Sequence, residues 1–291
     1  MAGSPDAWVP PFDQPDPQPA AACNKMDIIF VVDDSGSMGE EQANLASNFP
    51  MFAQVLESFR NQAGQELDFR VAVTTTGRDL NYTIASPFPP LPATPMSERG
   101  PNGKFRNEQS CGMRRPWIER GDGNVASTFS CAAEVGTSGS SIEMPLLAME
   151  WSLSQRVQDG SNAGFLRDDA LLAVVILTDE NDCSRSDNNF TIGFSENICN
   201  ESSLTDVPHY LSFLDGLKEE RGRWALAVIA GETDCTSEYG DASEAIRLKE
   251  MVTQTGQNAV FSSICNGDLA SSLGDALNTF QSACNSFPPI D

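Results

Sequence analysis

The sequence predicts an α/β protein: a doubly wound, mostly parallel sheet with helices on both faces and disulfide-stapled loop insertions. Three observations carry that expectation. Apolar runs of strand length alternate with stripes of helical spacing. Most of the runs are continuous rather than alternating, as strands buried on both faces require. Four of the eight cysteines fall in the two segments that break the alternation.

Met26 to Val32 (MDIIFVV) is a short apolar run ending in Asp33-Asp34, and predicts the first buried strand. Leu45, Phe49, Phe52, Leu56 and Phe59 follow at spacings of four and three, an amphipathic helix. Pro50 lies inside that stripe, so a kink or a late start is expected there. Leu67 to Thr75 gives a second strand. Ile142, Leu146, Met149, Leu153 and Val157 form another helical stripe. Ala170 to Thr178 (ALLAVVILT) is a third buried strand, again ending in acid at Asp179. Val207 to Glu219 predicts a helix, Trp224 to Ala230 a strand, Ala242 to Gln254 a helix and Ala259 to Ile264 a strand. Leu269, Leu273, Leu277 and Phe280 mark a last helix.

Residues 1–22 contain six Pro and no Lys or Arg, which suits an extended linker or tether. They have neither the positive start nor the apolar stretch of a signal peptide, as expected of a mature chain. A lipid tether further upstream is compatible with this. Residues 23–285 are expected to form one domain, and 286–291 a tail. Two insertions interrupt the domain, at about 76–135 and 180–206. The first has seven Pro and six Gly in 60 residues, too long for an ordinary connection. It is expected to cap the functional site.

None of the cysteines forms a C-x-x-C pair, so a structural zinc site or a thioredoxin-type site has no support. Disulfides and an oxidising compartment (extracellular, cell surface or periplasmic) are the expectation. Eight cysteines allow 105 connectivities. The pairing favoured here is Cys111–Cys131 and Cys183–Cys199, each stapling one insertion. Cys235–Cys265 would join the ends of neighbouring strands, and Cys23–Cys284 would tie the termini.

Composition excludes several functions. A formal net charge of −23 makes nucleic acid and anionic membrane surfaces poor partners. The single histidine, His209, rules out a multi-His metal site and gives a Ser-His-Asp triad little support. The longest apolar run is eight residues, Ala170 to Leu177, where a membrane span needs about 20.

What remains is acid at the carboxyl ends of strands, where open α/β sheets bind ligands. Asp33, Ser35 and Ser37 alternate along Asp33-Asp34-Ser35-Gly36-Ser37-Met38. On a tight turn, one carboxylate and two hydroxyls would converge. These hard oxygen donors suit Mg²⁺, Mn²⁺ or Ca²⁺ better than zinc or copper.

VVDDSGSM, between an apolar strand and a helix, resembles the D-x-S-x-S motif of the von Willebrand factor A family. In that family it forms a metal-ion-dependent adhesion site. Met26 to Phe280 follows the family's strand–helix order apart from the insertions. The resemblance implies two further ligands. One is a Thr in a Gly-Thr loop before a helix, matched by type at Thr137 and by distance to the helix at Ser140. The other is an Asp after the fourth strand, matched by Asp179 in VVILTDE. LLAVVILTDENDCS looks most like secreted or surface members from Gram-negative bacteria, particularly myxobacteria. The implied cofactor is a divalent cation, Mg²⁺ foremost, then Ca²⁺ or Mn²⁺. The implied function is binding, not turnover: an adhesion-type module that grips an Asp or Glu carboxylate of a protein partner.

A metal-independent scaffold is the alternative, although the intact Asp33, Ser35 and Ser37 speak against it. A Mg²⁺-dependent phosphotransfer enzyme would want an acid where Ser35 stands, and a Lys directly after a later strand. A Ser hydrolase would want a G-x-S-x-G elbow. Glu180 and Asp182 form a possible second cation site. Asp34 is expected to face solvent or support the site, and Glu40 and Glu41 to be acids favoured by a helix N-terminus. His209 is expected on a helix as a packing or surface residue, with Trp117 and Trp151 as local core. Asn81, Asn189 and Asn200 begin glycosylation sequons, accidental in a bacterial protein.

Overall fold

The computed structural model describes residues 23–61, 64–88, 90–237 and 240–288. The expected linker at 1–22 and the last three residues of the expected tail lie outside the described residues.

The chain alternates as expected in its main frame. β1 (Lys25–Val32) leads through α1 (Gly39–Ser58) to β2 (Asp68–Thr75). β3 (Leu80–Ile84), β4 (Thr94–Glu98), β5 (Ile118–Glu119) and α2 (Val125–Ala133) follow. Next come α3 (Pro145–Leu153), α4 (Gln155–Gln158), β6 (Leu171–Leu177) and β7 (Phe190–Ile192). α5 (Val207–Lys218), β8 (Trp224–Ala230), β9 (Cys235–Ser237) and β10 (Gly240–Ala242) precede α6 (Ile246–Thr255), β11 (Ala259–Ser263) and α7 (Leu269–Asn285).

The central sheet has the order β11-β8-β6-β1-β2-β5. Its first five strands are parallel and β5 is antiparallel to β2. Successive side chains of β1 enter opposite cores, because strand side chains alternate. Ile28, Phe30 and Val32 pack with α1, α2 and α7; Ile29 and Val31 pack with α3, α5 and α6. Phe30 lies 4.9–5.7 Å, centroid to centroid, from Phe49, Phe52 and Phe129. Burial of both faces explains why these strands read as unbroken apolar runs.

Some boundaries differ from the sequence expectation. α1 begins at Gly39, ahead of its apolar stripe, and continues through Pro50, which sits on an exposed face. Ile142 precedes the helix it seemed to open, because Pro145 takes the first helical turn, where its missing N–H is no loss. Ala242 ends a hairpin strand, and the helix starts at Ile246.

The first insertion is not uniformly peripheral. Its end supplies β5 at the sheet edge and α2, whose Phe129 belongs to the main core. Its beginning pairs with the second insertion in a separate sheet of order β4-β3-β7. Arg78, buried between them, donates to the carbonyls of Arg185 (2.7 Å) and Asp187 (2.9 Å) and stacks 5.0 Å over Trp151. The disulfides are Cys23–Cys284, Cys111–Cys131, Cys183–Cys199 and Cys235–Cys265, the pairing favoured from sequence. Among the described residues, no helix is long and apolar enough to cross a membrane.

Candidate metal site

From β1 the chain proceeds one way to β2 and the other way to β6, β8 and β11. The strand order therefore reverses between β1 and β6, the place where doubly wound sheets bind ligands. Val32 of β1 is level with Leu177 of β6, so the loops carrying Asp33 and Asp179 leave the sheet together.

Asp33 is buried. One carboxylate oxygen accepts the Ser35 N–H (2.8 Å) and the other the Thr178 hydroxyl (2.5 Å). The turn brings Ser35 Oγ and Ser37 Oγ within 3.1 Å of each other. Ser35 is buried and Ser37 exposed. Asp179 is buried with Oδ1 unpartnered. Ser37, Asp179, Glu180, Asp241, Ala242 and Ser243 line one pocket, so the turn, the β6 loop and the β9–β10 hairpin share an opening.

The electrostatics are those of crowded acid. Burial pushes the Asp33 carboxyl up, opposed by its bonds from Thr178 and Ser35. Burial takes Asp179 up to about 6; Asp33 and Glu180 add to this, and the Ser37 hydroxyl opposes it. Burial likewise takes Asp34 to about 6 and Glu41 to about 7. Buried oxygens of Asp34, Glu41, Glu143 and Asp179 have no hydrogen-bond partner. An unpaired buried polar atom costs about 1–3 kcal/mol, more when charged. Of these, Asp179 belongs to the candidate donor set, and a divalent cation there would offset the cost of its orphan oxygen. Among the described residues, no three or more His, Cys, Asp or Glu side chains are gathered as a metal site by themselves. Asp33, Ser35, Ser37 and Asp179 mix two acids with two hydroxyls.

The third loop, 136–144, is held against this turn from both sides. Gln42 of α1 donates to the carbonyls of Asp33 (2.8 Å) and Gly136 (2.6 Å) and accepts the Gly136 N–H (3.0 Å). The Gly139 N–H donates to the Asp34 carbonyl (2.7 Å). A Cβ at Gly139 would fall 2.2 Å from the Asp34 carboxyl carbon, so any larger residue there would have to push that carboxyl aside. Asp34 is thus half-buried support for the loop, not a solvent-facing residue.

The loop's expected ligands fare differently. Thr137 is exposed. Ser140 is buried, but its hydroxyl accepts the Ile142 N–H (3.1 Å) within the loop. Glu143, which sequence reasoning passed over, is buried beside Asp33 and Glu180. Burial, then those two charges, drives its carboxyl far above the usual range.

The possible second site at Glu180 and Asp182 does not assemble. Asp182 is buried and committed elsewhere: it accepts from Leu146 N–H (3.1 Å), the Ser184 hydroxyl (2.5 Å) and Arg247 Nε (3.0 Å). Glu180 instead faces Glu143. Glu41 also departs from expectation. It is buried against Gly240 of the hairpin rather than solvated at the helix end. His209 is half-exposed, 3.1 Å from Glu150. Trp117 and Trp151 pack locally, as expected.

No family model matches the chain, and no curated protein matches it. Among solved structures it is similar to proximal thread matrix protein 1 from the mussel byssus. That match has 10% identity and a TM-score of 0.44, over 90% of this chain and 49% of that one. The pilus adhesin SpaC from Lactobacillus rhamnosus GG, in an open conformation, gives 12% and 0.43, over 92% and 31%. The manganese-loaded TRAP protein of Plasmodium vivax gives 11% and 0.35, over 89% and 74%. The chain thus spans about half the length of the mussel protein and about a third of the adhesin.

Proposed function

We propose that this chain is a von Willebrand factor A-type binding module that holds a divalent cation at Asp33, Ser35, Ser37 and Asp179. The observation that supports this best is the alignment of the Asp33–Ser37 turn with Asp179 across the switch point. The carboxylates there are buried and crowded, and Asp179 has an unpartnered oxygen. Asp33 is fixed by Ser35 and Thr178, and Ser35 and Ser37 bring their hydroxyls together. Mg²⁺ is the foremost candidate, with Ca²⁺ and Mn²⁺ as alternatives. When bound, the ion reverses the local charge and offers a Lewis-acidic position to an Asp or Glu carboxylate of a partner protein. That resolves how so acidic a chain would hold an acidic ligand.

Binding is favoured over catalysis by the residues present. Ser35 occupies the position where phosphotransfer sites need a second acid. Lys218 lies against the carbonyls of Arg167 and Asp168, far along the fold from Asp33. Four disulfides suit an extracellular or cell-surface setting. The β4-β3-β7 sheet rises beside the site and is proposed to shape its specificity, since Glu98 at its base accepts the Ser141 N–H (3.4 Å).

Calorimetric titration of chelator-stripped protein with Mg²⁺, Mn²⁺ and Ca²⁺ tests the reading. One-site binding that vanishes in Asp33→Ala is expected. A folded wild type that binds none of the three ions would overturn it in favour of a metal-independent scaffold.

A further inference from the structure

We propose a second binding site, independent of the ion. The cavity at the start of α2 takes a carboxylate carried on a small apolar body, with Arg114 as its cation.

The cavity holds about 300 Å³, the lower end of the range for small-ligand sites. It lies in the first insertion, walled by the loop after Cys111, by β5 and by the first turn of α2. The Cys111–Cys131 disulfide ties that loop to the helix. β5 pairs with Arg70 and Val71 in the first half of β2. The Asp33 and Asp179 loops leave the other end of the sheet, so the two sites share no residue.

Arg114 is a cation without an anion. The chain has 41 acidic residues against 18 basic ones, and each of the other arginines bonds a carboxylate or a carbonyl. Arg114 lines the cavity, and among the described residues it has neither an ion pair nor a hydrogen bond. The charges around it are already matched. Arg70 and Arg115 pair with Glu119 (3.2 and 2.9 Å), and Arg115 also pairs with Asp122 (2.7 Å). Asp122, an acid on the cavity wall, accepts the Glu119 N–H as well (2.8 Å). Arg114 is left as surplus positive charge.

Further donors line the same space. The N–H groups of Val125, Ala126 and Ser127, which open α2, have no acceptor among the described residues. Asn124 precedes them in left-handed backbone (φ 59°) and gives no side-chain cap. Such a helix end favours negative charge. Thr128 adds a buried donor. It is 8% exposed and lies on the cavity wall, and its hydroxyl has no partner among the described residues. An unpaired hydroxyl at such a site is unfavourable, and a bound anion would offset that. A Cβ at Gly112 would sit 3.9 Å from Thr128 Oγ1, so a side chain there would crowd this hydroxyl.

The rest of the wall is apolar. Met113 and Ile118 are buried. Trp117 is half-buried, with its indole N–H given to Glu119 (2.8 Å). A hydrated inorganic anion gains nothing from such a wall. A carboxylate on an apolar body gains on both sides: guanidinium and backbone N–H groups take its oxygens, and its carbon covers the apolar wall. A small carboxylic acid and the C-terminus of a peptide both present this chemistry.

Amide chemical-shift titration of the whole chain tests the proposal. The probes are hexanoate and a short acetylated peptide ending in leucine with a free carboxylate; the tighter binder names the source. Hexanamide, the amidated peptide and sulfate are the controls. The carboxylates should shift the amides of residues 125–128 and the Trp117 indole saturably. Arg114→Gln should weaken that binding roughly tenfold and Thr128→Val about fivefold. Arg114→Gln loses no contact within the protein and should melt with the wild type, which separates lost binding from misfolding. Chelator should change nothing; a chelator effect would overturn independence from the ion. Binding of the neutral amides as tightly as the carboxylates would overturn the need for charge, and equal binding of sulfate would overturn the carboxylate class. No saturable shift with either carboxylate, or wild-type binding by Arg114→Gln, would overturn the site itself.

Discussion

The two ends of the central sheet bury acid in opposite ways. At the amino end, Asp27 of β1 is buried beneath Arg167, which gives it a backbone N–H (2.6 Å) and Nε (2.8 Å). Arg167 also bridges to Asp68 (2.7 Å), and Lys218 covers the Arg167 carbonyl (2.8 Å). Burial raises the Asp27 pKa, and Arg167 opposes it. Six residues along the same strand direction, Asp33 meets Asp34, Glu143, Asp179 and Glu180, several with oxygens unpartnered. A fold that neutralises its acid so thoroughly at one end can evidently do so. At the other end the acid is left uncompensated, which is what the proposed cation would offset.

Removing the acid should therefore have unequal consequences at the two ends. Asp27→Ala leaves Arg167 buried with only Asp68 as an acidic partner. Breaking a buried pair costs about 3–5 kcal/mol, and the surviving contact puts the expected loss near the low end, about 3 kcal/mol. Asp33→Asn in ion-free protein should cost far less, because it relieves crowding while keeping the shape. Urea midpoints of the two variants in chelator measure the difference. Equal losses would mean that the carboxyl end is held together by its acids as the amino end is.

Acidity itself sharpens the contrast. Asp34, Asp179 and Glu41 have folded values of about 6, 6 and 7, against ordinary values of 3.8, 3.8 and 4.5. The folded state thus holds more protons than the unfolded state between those limits. Stability from these groups is fully present below about pH 4 and is lost as pH rises through 6 to 7. Ion-free protein should accordingly be more stable at pH 5 than at pH 7.5, by roughly 1–3 kcal/mol. Saturating divalent ion should flatten or reverse that slope, since ligands must lose protons to bind it. An ion-free protein whose stability is level across this range would show that the carboxyl-end acids are not crowded.

Legibility in the sequence followed locality. β1, β2, β6 and β8 could be read because burial on both faces leaves continuous apolar runs. Asp33, Ser35 and Ser37 sit within five residues, so their turn was visible as a motif. β5 and α2 were hidden inside a Pro- and Gly-rich stretch, since two residues of strand and nine of helix carry little pattern. Asp182 looked free because its partner Arg247 lies 65 residues away. Glu143 looked like an ordinary acid before a helix; its burial beside Asp33 and Glu180 depends on loops distant in sequence.

The smallest expected effect concerns the join between α1 and the third loop. Gln42 bonds both Asp33 and Gly136, through three hydrogen bonds. Gln42→Ala removes all three, but Gly136 is exposed and water can replace part of what is lost. A net cost of about 1 kcal/mol follows, with weaker ion binding as the loop loosens. Gln42→Glu should be worse than Ala despite its closer shape. It keeps an acceptor for the Gly136 N–H, yet turns its other oxygen toward the carbonyls of Asp33 and Gly136 and adds charge beside a site already rich in acid. The order of urea midpoints, wild type above Ala above Glu, checks this. A Glu variant as stable as wild type would show that the amide is not clamping the loop.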